Sequence, residues 1–106
     1  MEPRLIYVTT ANAEEARTIG RALVESRLAA CANVLPPVTS IFWWEGAVQE
    51  EPEVVLIAKT RRSLVESVVE KVKALHSYDC PCVVALPILE GNPDFLRWIG
   101  EETTQK

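Results

Sequence analysis

Apolar positions recur along this chain with two different periods, and the switches between them mark out the elements. Residues 4 to 10, RLIYVTT, are rich in β-branched and aromatic side chains and predict a strand. Asn12-Ala-Glu-Glu15 then offers an Asn cap with a carboxylate three positions later, the start of a helix. Ala16, Ile19, Leu23 and Val24 follow at helical spacing, to about Arg27. The apolar run LAACANVL, residues 28 to 35, is short enough for a strand, and Pro36-Pro37 removes two ladder donors and should bend or bulge it. VTSIFWW, residues 38 to 44, returns to strand, Glu45-Gly46 turns the chain, and QEEPE reads as a polar tip. VVLIAKT, residues 54 to 60, is apolar enough for a central strand covered on both faces.

The second half repeats the plan. Ser63-Leu-Val-Glu66 has the spacing of a capping box, and Leu64, Val68, Val72 and Leu75 form one apolar helical stripe ending near His76. CVVALPI, residues 82 to 88, is a further strand. Asn92-Pro93-Asp94 combines a cap, a proline at the first helical position and an acid facing the helix dipole, ahead of Phe95, Trp98 and Ile99. The order β-α-β-β-α-β-α predicts an α+β fold: a ferredoxin-like split-βαβ sandwich with an antiparallel sheet and a long central hairpin. Two helices cover one face of such a sheet and leave the other short of cover. VTSIFWW adds apolar side chains on both of its faces, with Val38, Phe42 and Trp44 on one and Ile41 and Trp43 on the other. A patch of that kind predicts a stable homo-oligomer, with Phe42, Trp43 and Trp44 at the interface.

Composition narrows the function classes. At 106 residues, 48% hydrophobic and 25% charged, the chain suits one globular domain spanning residues 1–106. Its net charge of −4 and lack of a basic patch beyond Arg61-Arg62 argue against nucleic acid. No run approaches a membrane span, and MEPRLIYVTT resembles neither a signal nor a transit peptide, so a cytoplasmic protein without membrane insertion is expected. Three cysteines, an odd number without framework spacing, are expected to stay reduced.

The chemistry-bearing residues are few. HSYDCPC, residues 76 to 82, places Cys80 and Cys82 near the only histidine, His76. Thiolate and imidazole suit copper or zinc. Against that, cysteine is a commonly buried residue and a histidine at a helix C-terminus compensates the dipole, so the structural reading stands ahead. Cys31 in its Ala-flanked run reads as packing, and Glu50, Glu51 and Glu53 read as a solvated cluster before they read as a hard-cation site. Lys59, at the end of the central strand, could meet a ligand anion or simply be solvated. Neither G-x-S-x-G nor a phosphate loop is present, and no enzyme is suggested.

A run of motifs then resembles one family. Leu28-Ala-Ala-Cys31-Ala-Asn33, Ser40-Ile-Phe-Trp-Trp44-Glu-Gly46, Lys59-Thr60, His76-Ser-Tyr78, Ala85-Leu-Pro-Ile, Gly91-Asn92 and Phe95-Leu-Arg-Trp98 follow the order and spacing of the CutA divalent-cation tolerance family, from about residue 4 to 101. The resemblance implies a ferredoxin-like subunit in an interlocked homotrimer, similar in plan to PII signalling proteins. It also implies a cytoplasmic role in tolerance of copper and other divalent cations, with no obligatory cofactor. Carried over by position, Cys31 and His76 are the residues to examine for metal. Cys82 stands where the family usually has Glu, which shifts preference from hard toward soft metals; Ser77 replaces a proline and Phe42 a tyrosine. The site expected on this basis is Cys31, His76 and Cys82 in an inter-subunit cleft. A PII-like module that binds a small anion through Lys59 and Arg61, and a purely structural trimeric scaffold, are the competing readings.

Overall fold

The computed structural model describes residues 1–104; Gln105 and Lys106, the last positions of the expected 1–106 domain, lie outside the described residues. The elements are β1 (Pro3–Thr10), α1 (Ala13–Glu25), β2 (Cys31–Val34), β3 (Val38–Trp44), β4 (Ala47–Arg61), a 3₁₀ turn (Arg62–Leu64), α2 (Val65–Leu75), β5 (Val83–Pro87) and α3 (Pro93–Glu102). All pairings are antiparallel and the order is β2-β4-β1-β5, with β3 paired to the outer part of β4. This is the expected split-βαβ sheet, with the apolar run 54–60 at its centre.

Alternation along the strands decides what is buried. Ile6, Val8 and Thr10 on β1 and Leu56, Ala58 and Thr60 on β4 pack with Ile19 and Leu23 of α1 and Val68 and Val72 of α2. Gly20 lets α1 approach: a Cβ there would lie 3.1 Å from Leu56 Cδ1 and 3.3 Å from Ala32 Cβ. The opposite face carries Leu5, Tyr7, Ile57, Val84 and Leu86, together with Cys31 and Lys59, because Leu5 lies opposite both Lys59 and Leu86 and Lys59 opposite Cys31. Val84 and Leu86 are 50% and 48% exposed there.

Three sequence expectations need correction. QEEPE is not a loose tip: β4 begins at Ala47, and Glu50, Glu51 and Glu53 lie opposite Ile41, Ser40 and Val38. The turn is Glu45-Gly46 alone, with positive φ at both residues, as a tight two-residue hairpin requires. The Ser63 capping box does not form. The chain leaves β4 through the 3₁₀ turn, whose bond from Val65 N–H to Arg62 O satisfies the first donor, and α2 starts at Val65 without a side-chain cap. Cys82 precedes β5, and Val24, Phe95 and Trp98, on the apolar helical faces, are exposed. Pro36-Pro37 does break the strand, since β2 and β3 pair with successive stretches of β4 on either side of it.

Candidate groove and the fate of the expected ligands

A groove of about 870 Å³ runs between the β3–β4 ribbon and the segment that joins α2 to β5. The ribbon supplies Ile41, Phe42 and Trp44, β4 supplies Glu51 and Glu53, and the joining segment supplies Tyr78, Asp79, Cys80 and Cys82. Glu53 is almost fully buried and accepts a hydrogen bond from the Tyr78 hydroxyl at 2.8 Å. Burial, this bond and the surrounding Glu53, Glu15 and Glu51 charges push the Tyr78 hydroxyl well above the ordinary tyrosine range, so it stays a donor at any physiological pH.

The joining segment is pinned from α1. Asn12 Oδ1 accepts from Glu15 N–H at 2.8 Å, as the cap pattern predicts. Glu15 returns the favour one residue further upstream, accepting from Ala11 N–H at 3.0 Å, and its other oxygen accepts from Ser77 N–H at 3.0 Å. Burial alone would raise the Glu15 carboxyl. The two N–H donors, aided by His76 whenever that ring is charged, instead hold it below its ordinary 4.5. A lowered carboxylate contributes its full stability above the unfolded chain's value and loses it as pH falls through and below that value. Glu15→Gln is therefore expected to cost about 1.5 kcal/mol at neutral pH, a charged hydrogen bond's worth. The same change should flatten the rise in urea-measured stability between about pH 3 and 6; parallel wild-type and variant curves would contradict this role.

The histidine does not present a free nitrogen. Its side chain is fully buried, Nε2 lies 2.8 Å from the Thr9 carbonyl and Nδ1 accepts from Tyr78 N–H at 3.1 Å. A carbonyl only accepts, so Nε2 carries the proton and Nδ1 spends its lone pair on the backbone. His76 thus ties the end of α2 to β1. Cys31 lies on the open sheet face opposite Lys59, six residues along β4 from Glu53, which is about 20 Å at the strand rise. Within one chain the structure does not bring Cys31, His76 and Cys82 together, and among the described residues no three His, Cys, Asp or Glu side chains gather as a metal-holding group. All three cysteines are free thiols, with Cys80 and Cys82 exposed.

The residues of the anion reading are likewise engaged. Lys59 Nζ donates to Asn33 Oδ1 at 2.6 Å. Arg61 donates to the Gly100 carbonyl and, at 3.0 Å, to Thr103 Oγ1, closing the C-terminal end of α3 onto β4. Two side chains take roles that sequence reasoning did not assign: Glu53, read as solvated but nearly buried under Tyr78, and Glu15, read only as part of a cap. The signal for Glu53 was its place as the last acid before the buried run; for Glu15 it was the cap spacing, which says nothing of a second partner in the 76–78 turn.

The family model described as "CutA1 divalent ion tolerance protein" matches residues 4–102. The chain belongs to the CutA divalent-cation tolerance family. A "Divalent-cation tolerance protein CutA" of Thermus thermophilus is 48% identical over 99 residues, which is 93% of this chain and 96% of that protein. The crystal structure of the rice CutA relative superposes with a TM-score of 0.95 at 42% identity, covering 100% of this chain and 97% of that one. An Archaeoglobus fulgidus structure described as a periplasmic divalent cation tolerance protein gives a TM-score of 0.93 at 43% identity, over 96% and 99% of the two chains. Family membership fixes the fold and the link to divalent cations. Among the described residues, no helix is long and apolar enough to cross a membrane.

Proposed function

We propose that this CutA-family chain works as a cytoplasmic homotrimer that binds copper in divalent-cation tolerance, without catalytic turnover. One observation carries the reading: the groove holding the exposed thiols shares its wall with apolar ribbon residues that a single chain leaves in water. Ile41, Phe42 and Trp44 line the groove, and Ile41 and Trp43 stand 67% and 74% exposed. The open sheet face adds Val84 and Leu86, 50% and 48% exposed, and clustered exposed apolar side chains mark interaction surfaces. Shielding the ribbon with further copies of the chain would bury this surface and complete the groove. Free thiols suit a reducing compartment.

Light scattering across a dilution series in low and high salt tests the assembly, with three chain masses expected and one chain mass overturning it. Expression in a host strain lacking its own family member tests the role. Growth at elevated copper should be restored, and growth no better than the empty vector's would remove the copper assignment.

A further inference from the structure

We propose that Cys80 and Cys82 together form a dithiol site for a soft cation of low coordination number, copper(I), at the mouth of the groove. The inference rests on the copper reading above and names its ligands. Of the soft donors first expected, His76 has both nitrogens committed to the backbone and Cys31 lies on the open sheet face. What borders the same groove as Cys82 is Cys80.

Coordination number selects the ion. Structural zinc takes four ligands, and no three ligating groups gather among the described residues. Thiolates favour copper(I), and a pair of them can hold it in a two-coordinate arrangement. Spacing agrees. Cys80 precedes a proline, which disfavours the helical conformation, and two residues span at most about 7 Å between Cα atoms. That is wide for a disulfide, whose sulfurs must close to about 2 Å. It suits two sulfurs on opposite sides of one ion, each at a metal–thiolate bond length, about 2.3 Å for four-coordinate zinc and shorter for two-coordinate copper(I). The surroundings help: Asp79, Glu51 and Glu53 make the groove attractive to a cation, and Phe42 and Trp44 add an apolar wall beside them. Copper arrives already as copper(I). Two S–H groups release their protons to solvent, two copper–sulfur bonds form, and no electron is transferred.

The test is an anaerobic titration of the reduced full chain with copper(I) against bicinchoninate, comparing wild type, Cys80→Ser, Cys82→Ser and Cys31→Ser. Wild type should withdraw one copper per chain from the chelator, with X-ray absorption showing two sulfur neighbours. Losing an outer-shell partner already costs a metal site about 10- to 100-fold. Loss of either groove thiol should therefore weaken binding by at least about 100-fold, while Cys31→Ser binds as wild type. Light scattering and melting of the same samples show whether each variant keeps its assembly and fold. Undiminished binding in both groove variants, or loss with Cys31→Ser alone, overturns the dithiol and leaves the copper reading standing. A wild-type protein that takes no copper overturns both.

Discussion

Replacing Ile41 and Trp43 together by glutamate is expected to turn the proposed trimer into single chains. Both side chains project from the same face of β3 and stand 67% and 74% exposed in the protomer, so the change removes nothing from the core. Any contact that covers Trp43 buries on the order of 150 Å² of apolar surface, worth about 4 kcal/mol per protomer. Cyclic symmetry repeats that loss at every interface. The substitution adds a second penalty, since two unpaired carboxylates would have to be desolvated wherever the ribbon meets a neighbour. At micromolar concentration the variant should scatter as one chain mass and keep wild-type far-ultraviolet dichroism. An unchanged particle mass would show that this face of the ribbon stays wet, and the proposed trimer would need another contact.

The second large effect lies at the centre of the sheet. Leu56 has no exposed surface, sits on β4 between β1 and β2, and meets α1 where Gly20 allows close approach. Neighbouring strands and a helix backbone hold the site on every side, so it has little freedom to collapse. Leu56→Ala should cost about 2–5 kcal/mol and lower Tm by about 10 °C or more. Because association raises apparent stability, melting should be compared at one fixed chain concentration. A loss below about 1 kcal/mol would mean that the position repacks and that the sheet–helix contact is looser than its geometry indicates.

Much of the fold was legible because period and punctuation agreed. The strand before Asn12, the Asn cap, the diproline break and the Glu45-Gly46 turn each follow from local chemistry, and the structure contains each of them. The acidic stretch was misread because pairing overrode propensity. Glu50, Glu51 and Pro52 are poor strand residues taken alone. Opposite Ile41, Ser40 and Thr39 they continue a ladder that the hairpin has already set in register. β4 has only β3 as a partner there, so the missing Pro52 donor costs little. The site was less legible than the fold. Whether His76 is a ligand depends on where two nitrogens point, and a sequence does not say that Nε2 donates to Thr9 O while Nδ1 accepts from Tyr78 N–H. Cys31 was separated from Cys82 by sheet topology, which spacing along the chain cannot reveal.

β4 is continuous from the tip of the ribbon to the middle of the sheet, with residues 47–53 against β3 and 54–61 against β1. A slip of one residue in the outer arm would have to drag Val54 to Thr60 with it and turn Leu56 and Ala58 away from the helices. The arm is therefore clamped like the free end of a beam built into a wall. In the proposed trimer its aromatic rings would meet an incoming chain already in position, and docking would forfeit little backbone freedom.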